Sequence, residues 1–435
     1  MRKNLFLALC ALVTCVFVLG PVVVAQEKTV VNFFHTFWVP AMLELLEKAI
    51  ARYEQENPNI DIVETRVSWT DAPSQLMTSI MGGTPPDIVV ANPPMLAQLR
   101  GAGALADITD FIPEDLKTRF LKTAMDIMTN QEGRIDGIAE EGCTWALFYR
   151  KDIFEEAGLD PNHPPADWNE LVEFGKKLTK DLDGDGNVDQ WGYGWPVQAE
   201  NATDYWENFL WQAGSEVVAF ENGKWVSKLT EKEAIEGTQF MVDLVRKHRI
   251  SPEGLVDMNW EDVTNGFVFG KFAIMYNGAW VVFSIHQKGP EIEGKWATSL
   301  LYAGPAGRVN RGYPNTFNIL KASKVKKEAW NFLEFLYRKG PDERLSYIER
   351  IAEAAGALIW TDHYMEYARE TYEPLLQPFI EATAYAKVPP MAPQWQTLCD
   401  MFGDPAIQAL LLGQRDVEGT LKDLEEKFYI LHAGR

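Results

Sequence analysis

The sequence is poor in the groups that carry covalent chemistry. It holds four cysteines and six histidines in 435 residues. The histidines fall at no metal-ligand spacing, and there is neither a Gly-x-Ser-x-Gly elbow nor a glycine loop of the phosphate-binding kind. Positive charge is also scarce: 41 Lys and Arg stand against 62 Asp and Glu, for a formal net charge of −21. That balance argues against nucleic acid and anionic membrane surfaces as partners. Cys10 and Cys15 lie in an apolar amino-terminal run, so Cys143 and Cys399 alone serve the folded body. Two thiols permit one disulfide outside the cytoplasm and fit two buried free cysteines equally well. Repeats and low-complexity tracts are absent, and past the amino terminus no stretch is apolar enough to span a bilayer.

That amino terminus has its own logic. Arg2 and Lys3 precede an apolar run from Leu5 to Gly20, and small side chains follow up to Ala25. The pattern is that of a secretory signal cleaved after Ala25, and the run is short for the alternative, a membrane anchor. The expected product is a soluble monomer in the periplasm or another extracytoplasmic space. Its length exceeds what one core usually organises, so two lobes are expected.

The pattern then becomes regular. Strands are expected at 29–34, 60–67 and 86–91, with helices around Met42 to Tyr53 and Ser74 to Met81 between them. This β-α-β-α-β order implies a parallel sheet with crossover helices and hence an α/β class. Loops at the carboxyl ends of such strands are where open α/β sheets bind ligands. They hold Trp38, Trp69 with Asp71, and Asn92. Ile135 to Ile138 is suited to crossing between lobes, and helical patterns follow at 168–180, 205–212, 234–247 and 326–337.

Against the scarcity of reactive groups stand fifteen tryptophans. An indole offers a broad apolar face with one N–H donor at its edge, which suits a ligand that is apolar on its faces and polar around its rim. A sugar ring is such a ligand. Trp38 and Trp69 fit that use, and each equally fits a cap over the core beneath its loop. Glu140 and Glu141 follow the expected crossing strand and offer carboxylates to sugar hydroxyls; the alternative is a solvated acidic pair. Asn92, Asp71, Asp204 and Asn277 are polar groups beside aromatics, with Trp206 next to Asp204, and Trp195 and Trp395 are further aromatic candidates. Trp168, Trp225, Trp296 and Trp330 sit in helix-like or hairpin-like settings and read as structural.

The order of segments resembles the extracellular solute-binding proteins of bacterial ABC importers, in the sugar and oligosaccharide family. The similar pieces are the exported start with a strand ending at Trp38, Pro85 to Val89, and Gly137-Ile138 through Thr144-Trp145-Ala146-Leu147-Phe148-Tyr149-Arg150. They continue with Asp183 to Tyr193, Phe209 to Gly214, Gly278-Ala279-Trp280, and Ile407 to Gly413. The resemblance implies a two-lobed periplasmic-binding-protein fold of type II, each lobe a mixed sheet flanked by helices and joined by hinge strands. Lobes are expected at 26–137 with 300–347, and at 138–299 with 348–435. It implies a carbohydrate in the cleft, delivery to membrane permease subunits, no required cofactor and no reaction. Trp280 matches the family's cleft aromatic in a Gly-x-Trp turn, Trp145 lies in a matching segment, and Tyr313 and Asn315 match its loop facing the cleft. Glu140-Glu141-Gly142-Cys143 departs from the commoner, more neutral pattern, which bears on the substrate.

Three alternatives stay open. Asp181, Asp183, Asp185, Asn187 and Asp189 have the alternating oxygens and the glycine of a calcium loop, but Gly192 stands where that loop needs a glutamate, and a tight Asp/Gly turn explains them as well. A glycoside hydrolase needs two carboxylates at a set separation, and carboxylates are abundant. A receptor for a polyamine or other non-sugar solute would use the acids more than the aromatics.

Overall fold

The computed structural model describes residues 28–37, 39–69, 71–198, 202–338 and 344–432, so the export segment and Trp38 lie outside the described residues. Strands β1 (Thr29–His35), β2 (Ile60–Arg66) and β3 (Ile88–Ala91) are parallel, with β1 between the other two. The helices Pro40–Glu56 and Ala72–Met81 make the crossovers. The first buries Met42, Leu46, Ala49, Ile50 and Tyr53, the 3.6-residue stripe its sequence carries. It stops at Asn57, because the following proline disfavours helical backbone at the residue before it. β3 is buried along its whole length, as its unbroken Ile-Val-Val-Ala run requires.

The remaining strands are β4 (Ile138–Arg150), β5 (Trp191–Gly194), β6 (Val218–Glu221), β7 (Lys224–Ser227), β8 (Phe272–Gly278), β9 (Trp296–Ser299), β10 (Asn310–Ile319) and β11 (Ala386–Lys387). They extend the sheet in the order β2-β1-β3-β10-β4-β8-β5, with β11 beside β10 and β9 beside β4. β6 and β7 form a separate hairpin, closed at Asn222-Gly223, where both residues have positive φ.

Two strands carry the chain between two hydrophobic cores. Ile138 and Ala139 at the start of β4 pack in the first core, and from Trp145 onward the same strand packs in the second. Antiparallel β10 accompanies it, with Phe317 and Ile319 in the first core and Tyr313 against the second. Their pairing shifts register between Pro314 and Thr316, which skips Asn315. A proline inside a central strand is tolerated at such a bulge, because the ladder is already interrupted there. The crossing thus lies within 140–144 itself, where the sequence placed Glu140 and Glu141 after it. The chain passes between the cores again around Leu376 to Ile380.

The cores divide the chain differently from the expected lobe boundaries at two segments. Residues 348–368, expected in the second lobe, supply Ile348, Ile351, Leu358, Ile359, Trp360, Tyr364 and Met365 to the first core. Helix Tyr347–Glu353 packs on helix Pro40–Glu56. Periodicity shows that a helix has an apolar face and not which core receives it. Leu301 and Tyr302, expected in the first lobe, belong to the second core. Among the described residues no helix is long and apolar enough to cross a membrane.

Candidate ligand-binding cleft

A cavity of about 440 Å³ lies where the two cores meet. The loops after β1, β2 and β3 bring Thr36 and Phe37, Trp69, and Asn92 to it, at the carboxyl ends of the parallel strands as an α/β sheet dictates. Met42 and the turn Ala355–Ala357 complete that wall. The facing wall carries Asp204, Tyr205, Trp260, Ala279 and Trp280. The crossing strands form the floor, with Glu140, Glu141, Cys143 and Trp145 from β4 and Tyr313 and Asn315 from β10.

The aromatic wall has defined geometry. Trp145 and Trp280 meet edge to face at 5.5 Å between ring centroids, Trp145 and Tyr313 at 5.9 Å, and Trp260 and Trp280 at 6.4 Å. Such contacts hold large rings without motion that a ligand would otherwise have to freeze. Gly278 makes the Trp280 position possible: a Cβ there would lie 2.0 Å from Trp280 Cζ3, so only glycine lets the indole fold back over the end of β8. Asn277 is fully buried behind this wall. It accepts from the Tyr205 hydroxyl (3.2 Å) and donates to the Trp260 carbonyl (3.3 Å), so it positions two cavity residues without lining the cavity.

Nine of the expected residues come together here: Trp69, Asn92, Glu140, Glu141, Trp145, Asp204, Trp280, Tyr313 and Asn315. Five are corrected. Asp71 is exposed and accepts from the Ser68 hydroxyl (2.7 Å) at the head of helix Ala72–Met81. Trp195 and Trp395 are packed in the second core, and Trp206 is buried with its Nε1 donating to Thr238 (2.8 Å). Asn277 stands one layer behind, as above. Trp195, Trp206 and Trp395 are taken up by the second core and Asn277 by the layer behind the wall, whereas Asp71 is held at an exposed helix end. Trp260 and Tyr205 were missed from the sequence. The signal for Trp260 was the Asn259 and Asp262 capping box, which puts it on the first turn of helix Trp260–Val268.

The polar floor is acidic and largely buried. Glu140 is 1% exposed, and neither carboxylate oxygen has a hydrogen-bond partner. Burial, reinforced by the neighbouring Glu141, holds its carboxyl well above the usual range. Burial pushes Glu141 up to about 7 even though it accepts from Asn315 Nδ2 (2.7 Å), and Asn315 Oδ1 is left without a partner. Arg311 on β10 is the nearby cation. It is committed to Asp204 (2.7 Å) and to Glu207, beneath the Trp145 and Tyr313 rings. Cys143 and Cys399 are both free thiols, the second buried in the second core.

The acidic loop lies outside the cleft and is exposed. Its carboxylates accept from the loop's own amides: Asp181 from Gly184 and Gly186 (2.7 and 2.8 Å), Asp183 from Asp185 (3.0 Å), and Asp189 from Leu182 (2.7 Å). Asp185 accepts from the Asn187 amide (2.7 Å) in the same way. These are the bonds of a tight Asp/Gly turn.

Several known proteins are similar to this chain. A Brucella abortus protein described as a binding protein is 27% identical over 384 residues, 88% of each chain. The lactose-binding protein of Rhizobium radiobacter is 24% identical over 74% of this chain and 73% of its own. Maltose-bound MalE3 of T. maritima superposes with a TM-score of 0.74 at 25% identity, over 93% of this chain and all of the other. Residues 40–343 match the model of the bacterial extracellular solute-binding proteins, and the chain belongs to that family.

Proposed function

We propose that the protein is an exported receptor that captures a carbohydrate, with room for more than one ring, and delivers it to the permease of an ABC importer. The segment 1–25 serves export and is removed. The observation that carries this reading is the set of indoles bordering one cavity from both lobes, Trp69 on one side and Trp145, Trp260 and Trp280 on the other, above a floor of carboxyl and amide groups. The names of the lactose-binding and maltose-bound relatives support it.

The magnitudes suffice. Covering roughly 60 Å² of sugar face with one indole is worth about 1.5 kcal/mol at about 25 cal/mol per Å². A hydrogen bond to a charged group adds about 1.5–3 kcal/mol. Micromolar affinity needs about 8 kcal/mol net of the cost of association. Three stacked faces and several such bonds give a gross sum of the order this requires. Because the lining comes from both lobes, a bound sugar gains contacts only when they are together, which is how it selects the closed state.

The test is calorimetric titration of the protein lacking residues 1–25 with a panel of di- and oligosaccharides, followed by chromatography of the recovered sugar. The reading requires saturable binding near one ligand per protein, with the sugar returned intact. A glycoside hydrolase would return shortened products, and a receptor for a non-sugar solute would bind nothing in the panel.

A further inference from the structure

The cavity floor carries two adjacent acids with no cation of their own. Three acids line the cavity, Glu140, Glu141 and Asp204, and no lysine, arginine or histidine does so among the described residues. Asp204 has its countercharge in Arg311, whose guanidinium is shared with Glu207. The adjacent pair on β4 has none: Glu141 accepts from the Asn315 amide, and both oxygens of Glu140 and Oδ1 of Asn315 are buried acceptors with no donor. A buried acceptor without a donor is costly, and a buried carboxylate without a cation more so. Hydroxyl groups would supply hydrogen bonds and leave an ionised carboxylate of the pair without a cation. A primary ammonium group carries three donors and one positive charge, so it supplies donors to the orphaned oxygens of Glu140 and Asn315 and compensates one carboxylate of the pair.

We infer that the captured carbohydrate bears a free amino group, an amino sugar residue whose ammonium is held by Glu140, Glu141 and Asn315. The inference rests on the carbohydrate reading above. The indole and phenol faces of Trp145, Trp280 and Tyr313 are compatible with a cation as well as with sugar rings. A divalent metal fits less well. It takes six to eight oxygens at about 2.3–2.6 Å. Among the described residues the sole acid cluster of metal-binding size is the exposed Asp181, Asp183 and Asp189 group, not the cavity pair. Burial holds Glu140 and Glu141 protonated more readily than ordinary carboxyls, and an arriving ammonium would favour their ionised form.

The experiment compares oligosaccharides that differ only by replacing a hydroxyl with an amine: glucose oligomers and the glucosamine oligomers of the same linkage, two to four units long, with spermidine as a third arm. Calorimetry at pH 7 and low salt should give the aminated sugar at least about a tenfold tighter Kd than its neutral partner. Glu140→Gln should reduce that preference below about threefold, with an unchanged far-UV circular dichroism spectrum and a cooperative melt as the control for folding. Equal or weaker binding of the aminated sugar overturns the inference and leaves the carbohydrate reading standing. Tighter binding of spermidine than of every sugar overturns both, as does the absence of saturable binding by any sugar.

Discussion

The side chains that matter divide by what their second surface meets. Trp280 meets Trp145 and Trp260 edge to face and lines the cavity, whereas Trp206, equally large, packs its ring in the second core and its Nε1 donates to Thr238. The two substitutions should therefore separate. Trp280→Ala should weaken carbohydrate binding about tenfold or more by calorimetry. Trp206→Ala should instead lower unfolding free energy by about 3–5 kcal/mol in urea titrations. The titratable residues make a second prediction. Burial raises Glu141 to about 7, Glu207 to about 8 and Asp404 to about 7, against ordinary values of 4.5, 4.5 and 3.8. The folded state then holds protons that the unfolded chain has released, so their contribution is complete below about pH 4 and is lost as pH rises through 7 to 8. The melting temperature of the ligand-free protein should fall between pH 5 and pH 8; a flat or rising profile contradicts these environments. Sequence pointed to the right residue types here and could not say which indole faces a core. Trp195, Trp206 and Trp395 resemble Trp280 until neighbours distant in sequence surround them.

At the scale of elements, the amino-terminal β-α-β-α-β unit was legible because each segment declares itself: alternating or continuous apolar runs, a 3.6-residue stripe, a proline stop. β10 was not. Gly312-Tyr313-Pro314-Asn315 reads as a loop, since proline cannot donate to a ladder, and only pairing with β4 shows that a bulge absorbs it within the strand. The same distant pairing sets Asn315 beside Glu141, a contact between residues 174 apart in sequence. The turn after β8 was legible, and it is a sharp test of the wall it builds. Gly278→Ala would place a methyl group where the Trp280 ring lies. The ring must move, so carbohydrate affinity should fall about as far as in Trp280→Ala, again about tenfold. Unchanged affinity would mean that the indole is not held against the ligand.

For the whole molecule, the two-lobed plan followed from length and from the order of segments. The assignment of 348–368 to its lobe did not, because an amphipathic helix carries no address for the core that will cover it. What the plan achieves is a cavity that neither lobe contains alone. Floor residues come from the two strands that join the lobes, so a ligand resting on them also bridges the walls. Ligand that binds only this assembled state stabilises it by mass action, about 2.7 kcal/mol at a hundredfold excess over Kd. A saturating sugar should accordingly raise the melting temperature, and Trp280→Ala should shrink that rise at the same sugar concentration. The most direct measurement is a crystal structure of the protein grown with its tightest-binding oligosaccharide. The account requires sugar rings between the lobes, against the faces of Trp69 and Trp280 and within hydrogen-bond distance of Glu140 or Glu141. Sugar bound elsewhere on the surface, with the cavity filled by solvent, would contradict it.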